Sequence, residues 1–231
     1  FTSATVMAAL AFMLWRTLPE QRPTGRLLSY PQLLLSMVSL LSTERVLQIR
    51  GMLALLMFAV FNIFWSALVL PLSEPPYSFS HMIIGAFGLV GVVGALAATR
   101  AGYWADRGLG QWTTGLALLL LLASWLPLWF TMVSLWALVL GIIILDLAGQ
   151  AIHVTNQSMI FSTHPEAHSR LVGCYMLFYA VGSGLGAIAT TAIYAAAGWA
   201  GVCVLGSFVS LLALIFWLVT MRFMPKPPPA R

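Results

Sequence analysis

The chain has 231 residues, of which 61% are hydrophobic and 7% charged, with a formal net charge of +5. A soluble domain carries about 25% charged residues, and a domain of this size cannot bury so much apolar side chain in one core. The composition excludes an ordinary soluble enzyme, a disordered protein and a nucleic-acid binder; lipid is the solvent for most of this chain.

Residues 1–14 are largely apolar and are followed by Arg16. A signal peptide carries its positive charge before the apolar run, so this stretch reads as the end of a transmembrane helix leaving the bilayer near Arg16. Residues 32–42 are apolar but too short to cross, and Arg22, Arg26, Arg45 and Arg50 bracket them. That pattern predicts an amphipathic helix in the interface plane.

A transmembrane helix needs roughly 20 apolar residues. Residues 52–72 and 81–99 each form an uncharged span or nearly one. Residues 108–145 hold no charge, enough for most of two spans, and Pro127 between Trp125 and Trp129 predicts the turn that divides them. Residues 171–221 are again uncharged and are divided at Gly198-Trp199-Ala200-Gly201. The fold class is an all-α integral membrane protein with six full transmembrane helices and one partial N-terminal helix. Its parts are an incoming helix (1–16), a linker with an interfacial helix (17–50), a six-helix bundle (51–222) and a tail (223–231).

The connections carry the charge unevenly. Arg16, Arg22, Arg26, Arg45, Arg50, Arg100, Arg107, Arg170, Arg222, Lys226 and Arg231 all fall on one side of the predicted topology. The positive-inside rule makes that side cytoplasmic and puts the C-terminus of this multi-pass protein there. Anionic lipid head groups, not nucleic acid, are the partner such a distribution implies.

Asp146 lies deep in the stretch 133–161, and an ionisable group at that depth is rare and usually functional. Gln150, His153 and Gln157 follow at four, seven and eleven residues, one face of a helix, with Asn156 nearby. Such a stripe either faces a water-filled cavity, with Asp146 titrating or touching substrate, or ties helices together. Asn62 and Ser66, with Trp65 between them, could line the same cavity or make an interhelical hydrogen bond. Gly85, Gly88, Gly91 and Gly94 recur every third residue, and Gly182, Gly184 and Gly186 cluster. Small residues at these spacings predict close helix packing.

Nothing points to catalysis. Cys174 and Cys203 have no metal-ligand spacing, and no metal or cofactor site is read. An aspartyl intramembrane protease needs two aspartates within spans, and only Asp146 is available. The glycine run from Gly182 lacks the strand-to-helix turn that a dinucleotide fingerprint requires.

Gly102-Tyr103-Trp104-Ala105-Asp106-Arg107, followed by Gly108, connects two spans on the basic side. It resembles the Gly-x-Leu-Ala-Asp-Arg-x-Gly loop of the major facilitator superfamily. Trp104 stands where Leu is usual and Leu109 where the second Gly is expected, a form that looks like the copy in the second half of such transporters. The resemblance implies the C-terminal half of a twelve-helix secondary transporter whose halves rock about a midplane site. The stretch Leu145-Asp146-Leu147-Ala148-Gly149-Gln150 through Asn156-Gln157 resembles helix ten of a bacterial efflux-type branch of the superfamily. The resemblance further implies a location in the bacterial inner (plasma) membrane, a small-molecule substrate, coupling to protons, a missing N-terminal half as partner, and a structural or gating role for Gly102, Asp106, Arg107 and Gly108. The competing expectation is a non-transporting membrane subunit or truncated product that associates with another membrane protein.

Overall fold

The computed structural model describes residues 2–17, 29–97, 99–163 and 167–224, and among these it contains helices and turns but no strand. The chain divides into two compact units, residues 1–34 and 35–231. In the first, helix α1 (Thr2–Thr17) is apolar and exposed at Val6, Met7, Leu10, Met13 and Trp15. Arg16 closes it by lying 5.4 Å over the Phe12 ring. Most of the predicted linker, residues 18–28, lies outside the described residues. Helix α2 (Tyr30–Thr43) coincides with the segment expected to lie in the interface.

The second unit holds the long helices. Helix α3 (Arg45–Ala67) runs on through Leu68 into α4 (Val69–Ser73). Helix α5 (His81–Ala97) is followed by α6 (Thr99–Trp104), a wide turn at Ala105–Leu109, α7 (Gly110–Ala123) and α8 (Trp125–Trp129). Helix α9 (Leu135–Phe161) and α10 (His168–Thr220) complete the set, and a short 3-10 turn (Met221–Phe223) follows. Five of the resulting helical stretches are long and apolar enough to cross a membrane. The last is broken at Gly198, whose φ of 60° and ψ of −154° interrupt the helix. The arms on either side, 168–197 and 199–220, each meet the roughly 20 residues a crossing needs. The division falls where the glycine-flanked tryptophan predicts it, and a side chain would strain that backbone.

Helix α3 lies at the centre. Leu53, Met57, Val60 and Phe64 pack with Leu118 and Leu121 of α7, Leu138, Ile142 and Leu145 of α9, and Trp199 and Val202 of α10. Near its start, Leu47 and Ile49 pack with Leu171, Cys174 and Tyr175 of α10. The first arm of α10 meets α3 at backbone distance: a Cβ on Gly182 would collide with the Leu55 carbonyl, and one on Gly186 with the Ala59 carbonyl. Lipid provides no hydrophobic drive between helices, so contact of this kind, together with interhelical hydrogen bonds, holds them. Trp125 Nε1 donates to Ser210 Oγ at 3.1 Å, Trp199 Nε1 to the Leu128 carbonyl at 2.8 Å, and Trp217 Nε1 to Gln111 Oε1 at 3.0 Å. Buried Thr114, Thr190 and Ser210 each return their hydroxyl to the carbonyl of a glycine four residues back. These bonds remove polar groups that lipid could not satisfy.

Two expectations are corrected. The turn expected at Pro127 falls at residues 130–134 instead. Pro127 sits at the third residue of α8, where the helix has just restarted after Ser124 and the missing N–H costs little. Ser134 then caps α9 by accepting from Ala137 N at 3.4 Å. Arg50, counted with the cytoplasmic charges, is fully buried in the bundle. Helix α3 starts at Arg45, so Arg50 lies more than a turn inside it.

Candidate functional site

Helix α9 carries the candidate site because its inward face is interrupted by one carboxyl group. Leu145 and Ala148 of α9 are fully buried, and Asp146 between them is only 4% exposed. Glycines of α5 make room for it: a Cβ on Gly91 would strike Asp146 Oδ2, and one on Gly94 would come within 2.7 Å of the Ile143 carbonyl and the Leu147 amide. The small residues thus bring α5 onto the stretch of α9 that holds the acid. Gly85, Gly88 and Gly184 face open space instead.

Asp146 borders a cleft of about 380 Å³ lined also by Phe61 and Trp65 of α3, Gly88, Gly91 and Val92 of α5, and Gln150 of α9. Asp146 Oδ2 is buried and has no hydrogen-bond partner. Trp65 Nε1, on the facing helix, is likewise buried and unpartnered, although its indole lies near enough to act on the carboxyl group. The cleft therefore offers an unmet acceptor, an unmet donor, two aromatic rings and a half-buried amide. Chemically, that arrangement can hold a proton on the carboxyl group or bind a polar, partly apolar small molecule.

The other residues of the polar stripe have different neighbours. His153 Nδ1 is 2.9 Å from the Tyr175 hydroxyl of α10, and the Phe58 ring stands edge-on to the imidazole, with centroids 5.2 Å apart. Gln157 is half-buried one turn further on. Asn62 Nδ2 donates to Ser183 Oγ at 2.9 Å and to the Phe58 carbonyl at 3.0 Å, an interhelical bond between α3 and α10. Ser66 is exposed.

A second polar group was not legible in the sequence. Arg50 Nη1 donates to Thr114 Oγ1 of α7 at 2.7 Å and to Asn156 Oδ1 of α9 at 3.3 Å. Its Nε and Nη2, with Asn156 Nδ2, are buried without partners. Tyr175 lies beside both residues and links them to His153. A charged group taken out of water is costly unless it is paired and fully hydrogen-bonded, so this burial needs compensation. The available signal was position: from Arg50 to Ser73 no other charge occurs, so Arg50 heads an uncharged run.

In the loop motif, Gly108 takes a φ of 82°, the left-handed conformation that favours glycine, and so lets the wide turn join α6 to α7. Arg107 lies 4.1 Å over the Tyr103 ring. A Cβ on Gly102 would come within 3.0 Å of Val154 on α9. The side chain of Asp106 lies outside the described residues.

The family model described as Major Facilitator Superfamily matches residues 53–231. A protein of Escherichia coli (strain K12) named "Putative uncharacterized transporter YgaY" is 42% identical over 217 residues, which cover 94% of this chain and 55% of that protein. Its counterpart in Escherichia coli O157:H7, named "Uncharacterized transporter YgaY", matches to the same extent. The chain thus spans about half the length of the curated relatives it matches.

Proposed function

The chain belongs to the Major Facilitator Superfamily, and on that premise we propose that it serves as the C-terminal half of a proton-coupled secondary transporter that exports small organic compounds. Asp146 is the proton carrier in this reading. What supports it is the buried, unpartnered Asp146 Oδ2 bordering a cleft of about 380 Å³. A carboxylate in a poorly hydrated site is costly while charged and unpaired. Either a proton or a cationic ligand removes that cost, and one oxygen cannot serve both fully at once. Binding of one therefore weakens binding of the other, which is the thermodynamic condition for exchange.

The lining narrows the substrate class. Phe61 and Trp65 offer aromatic faces to a cation or a flat apolar ring, while Asp146 and Gln150 offer polar contacts. A weakly basic aromatic compound fits these groups together. The membrane is the bacterial inner membrane in this reading, with the basic connections and the C-terminus in the cytoplasm.

Reconstitution of the protein from its complete reading frame into proteoliposomes tests the proposal. A panel of organic compounds is followed with and without an imposed pH gradient. Gradient-driven flux of at least one compound is expected, and Asp146→Asn should abolish it while leaving membrane insertion intact. Undiminished coupled transport by Asp146→Asn would refute the assignment.

A further inference from the structure

The Arg50 cluster lies apart from the cleft and plays no part in the proposed exchange. Three nitrogens in it lack partners: Arg50 Nε, Arg50 Nη2 and Asn156 Nδ2. They belong to two planar groups already in contact at 3.3 Å through Arg50 Nη1 and Asn156 Oδ1. Every unmet atom is a donor. The side chains identified around the guanidinium, Thr114, Asn156 and Tyr175, are all neutral.

A guanidinium stays protonated in proteins. A water molecule could accept from these donors but could not balance the charge. Arg50, Thr114, Asn156 and Tyr175 are each buried to 0% exposure, and they come from α3, α7, α9 and α10 respectively. An occupant enclosed by four helices must be small. From this geometry we propose that Arg50 and Asn156 form an occluded site for a small inorganic anion of halide size, whose charge and acceptor capacity complete the bundle core. Arg50 Nε and Nη2 and Asn156 Nδ2 donate to the ion, while Arg50 Nη1 keeps its bonds to Thr114 and Asn156.

The test uses the protein from its complete reading frame in nanodiscs, with chloride or bromide exchanged for gluconate at constant ionic strength. The unfolding temperature is expected to rise saturably with chloride and with bromide. Asn156→Asp places a fixed carboxylate against Arg50, so this variant should be as stable in gluconate as in chloride. An equal unfolding temperature for the wild type in gluconate and chloride would overturn the proposal, leaving water as the occupant. A chloride response that persists unchanged in Asn156→Asp would also overturn it, because the ion would then bind elsewhere. Crystals grown in bromide give a readout that requires no variant: an anomalous peak in contact with the Arg50 guanidinium is expected, and its absence counts against the site.

Discussion

Helix α9 bears two polar centres ten positions apart, Asp146 and Asn156, in opposite surroundings. Asp146 borders an open cleft, and its Oδ2 is without a partner, as is Trp65 Nε1 on the cleft's other wall. Asn156 is sealed against Arg50 inside the bundle, where Thr114 and Tyr175 also converge. The same physical penalty, a polar group out of water, therefore has two outcomes. Beside the cleft a proton or a visiting ligand can relieve it, so the group is available for work. In the sealed core only fixed neighbours or an enclosed ion can relieve it, so the group serves structure.

The sharpest way to break this contrast is to neutralise the centre that borders the cleft. Asp146→Asn should eliminate gradient-driven flux, and the thermal unfolding curve in detergent should stay close to that of the wild type. A large loss of stability with coupling retained would move Asp146 into the structural category. The sealed centre should behave the other way. Arg50→Ala removes one of the largest fully buried side chains, and by the cost of large-to-small core changes it should lose about 3–5 kcal/mol, read as a shift in a denaturant titration.

Glycines give the same comparison on a smaller scale. Gly182→Ala drives a Cβ into the Leu55 carbonyl and should cost about 1–3 kcal/mol, since overpacking forces the backbones of α3 and α10 apart. Gly184→Ala, two residues on, meets nothing within 4 Å and should be neutral or gain up to ~1 kcal/mol from helix propensity. Equal effects at the two positions in the same titration would mean that the helices do not meet at Gly182. The smallest effect is expected at the rim. Tyr77→Phe deletes the 2.8 Å bond from the hydroxyl to the Thr131 carbonyl, which ties the loop after α4 to the turn before α9. Its cost should be about 0.5–1.5 kcal/mol, measured by the same unfolding experiment.

Much of this arrangement is written locally in the sequence, and part of it is not. The uncharged runs located the long helices because hydropathy sums over neighbours in the chain, and a bilayer imposes one length scale on them all. The break at Gly198 was legible because glycine at a helix interruption is a local signal. Pro127 misled by three residues, since proline is tolerated just inside a helix start as readily as in the turn itself. Asp146 stood out as a lone carboxyl group in an apolar stretch, but its stripe did not stay together. Gln150 shares the cleft while His153 turns to Tyr175, because neighbouring positions on one helical face can meet different helices, and Asn62 of α3, which could have lined the same cavity, bonds Ser183 of α10 instead.

Composition and charge order alone determined that this is a multi-pass helical membrane protein, and the Gly102–Gly108 loop indicated its family. Which polar groups are paired was decided only by tertiary structure. Arg50 meets Thr114 across 64 residues of chain and Asn156 across 106. A charge near the predicted start of a span looks the same in sequence whether it remains at the water interface or enters the core. The faces that abut once the helices pack make the difference, and hydropathy, a sum along one dimension, carries no record of them.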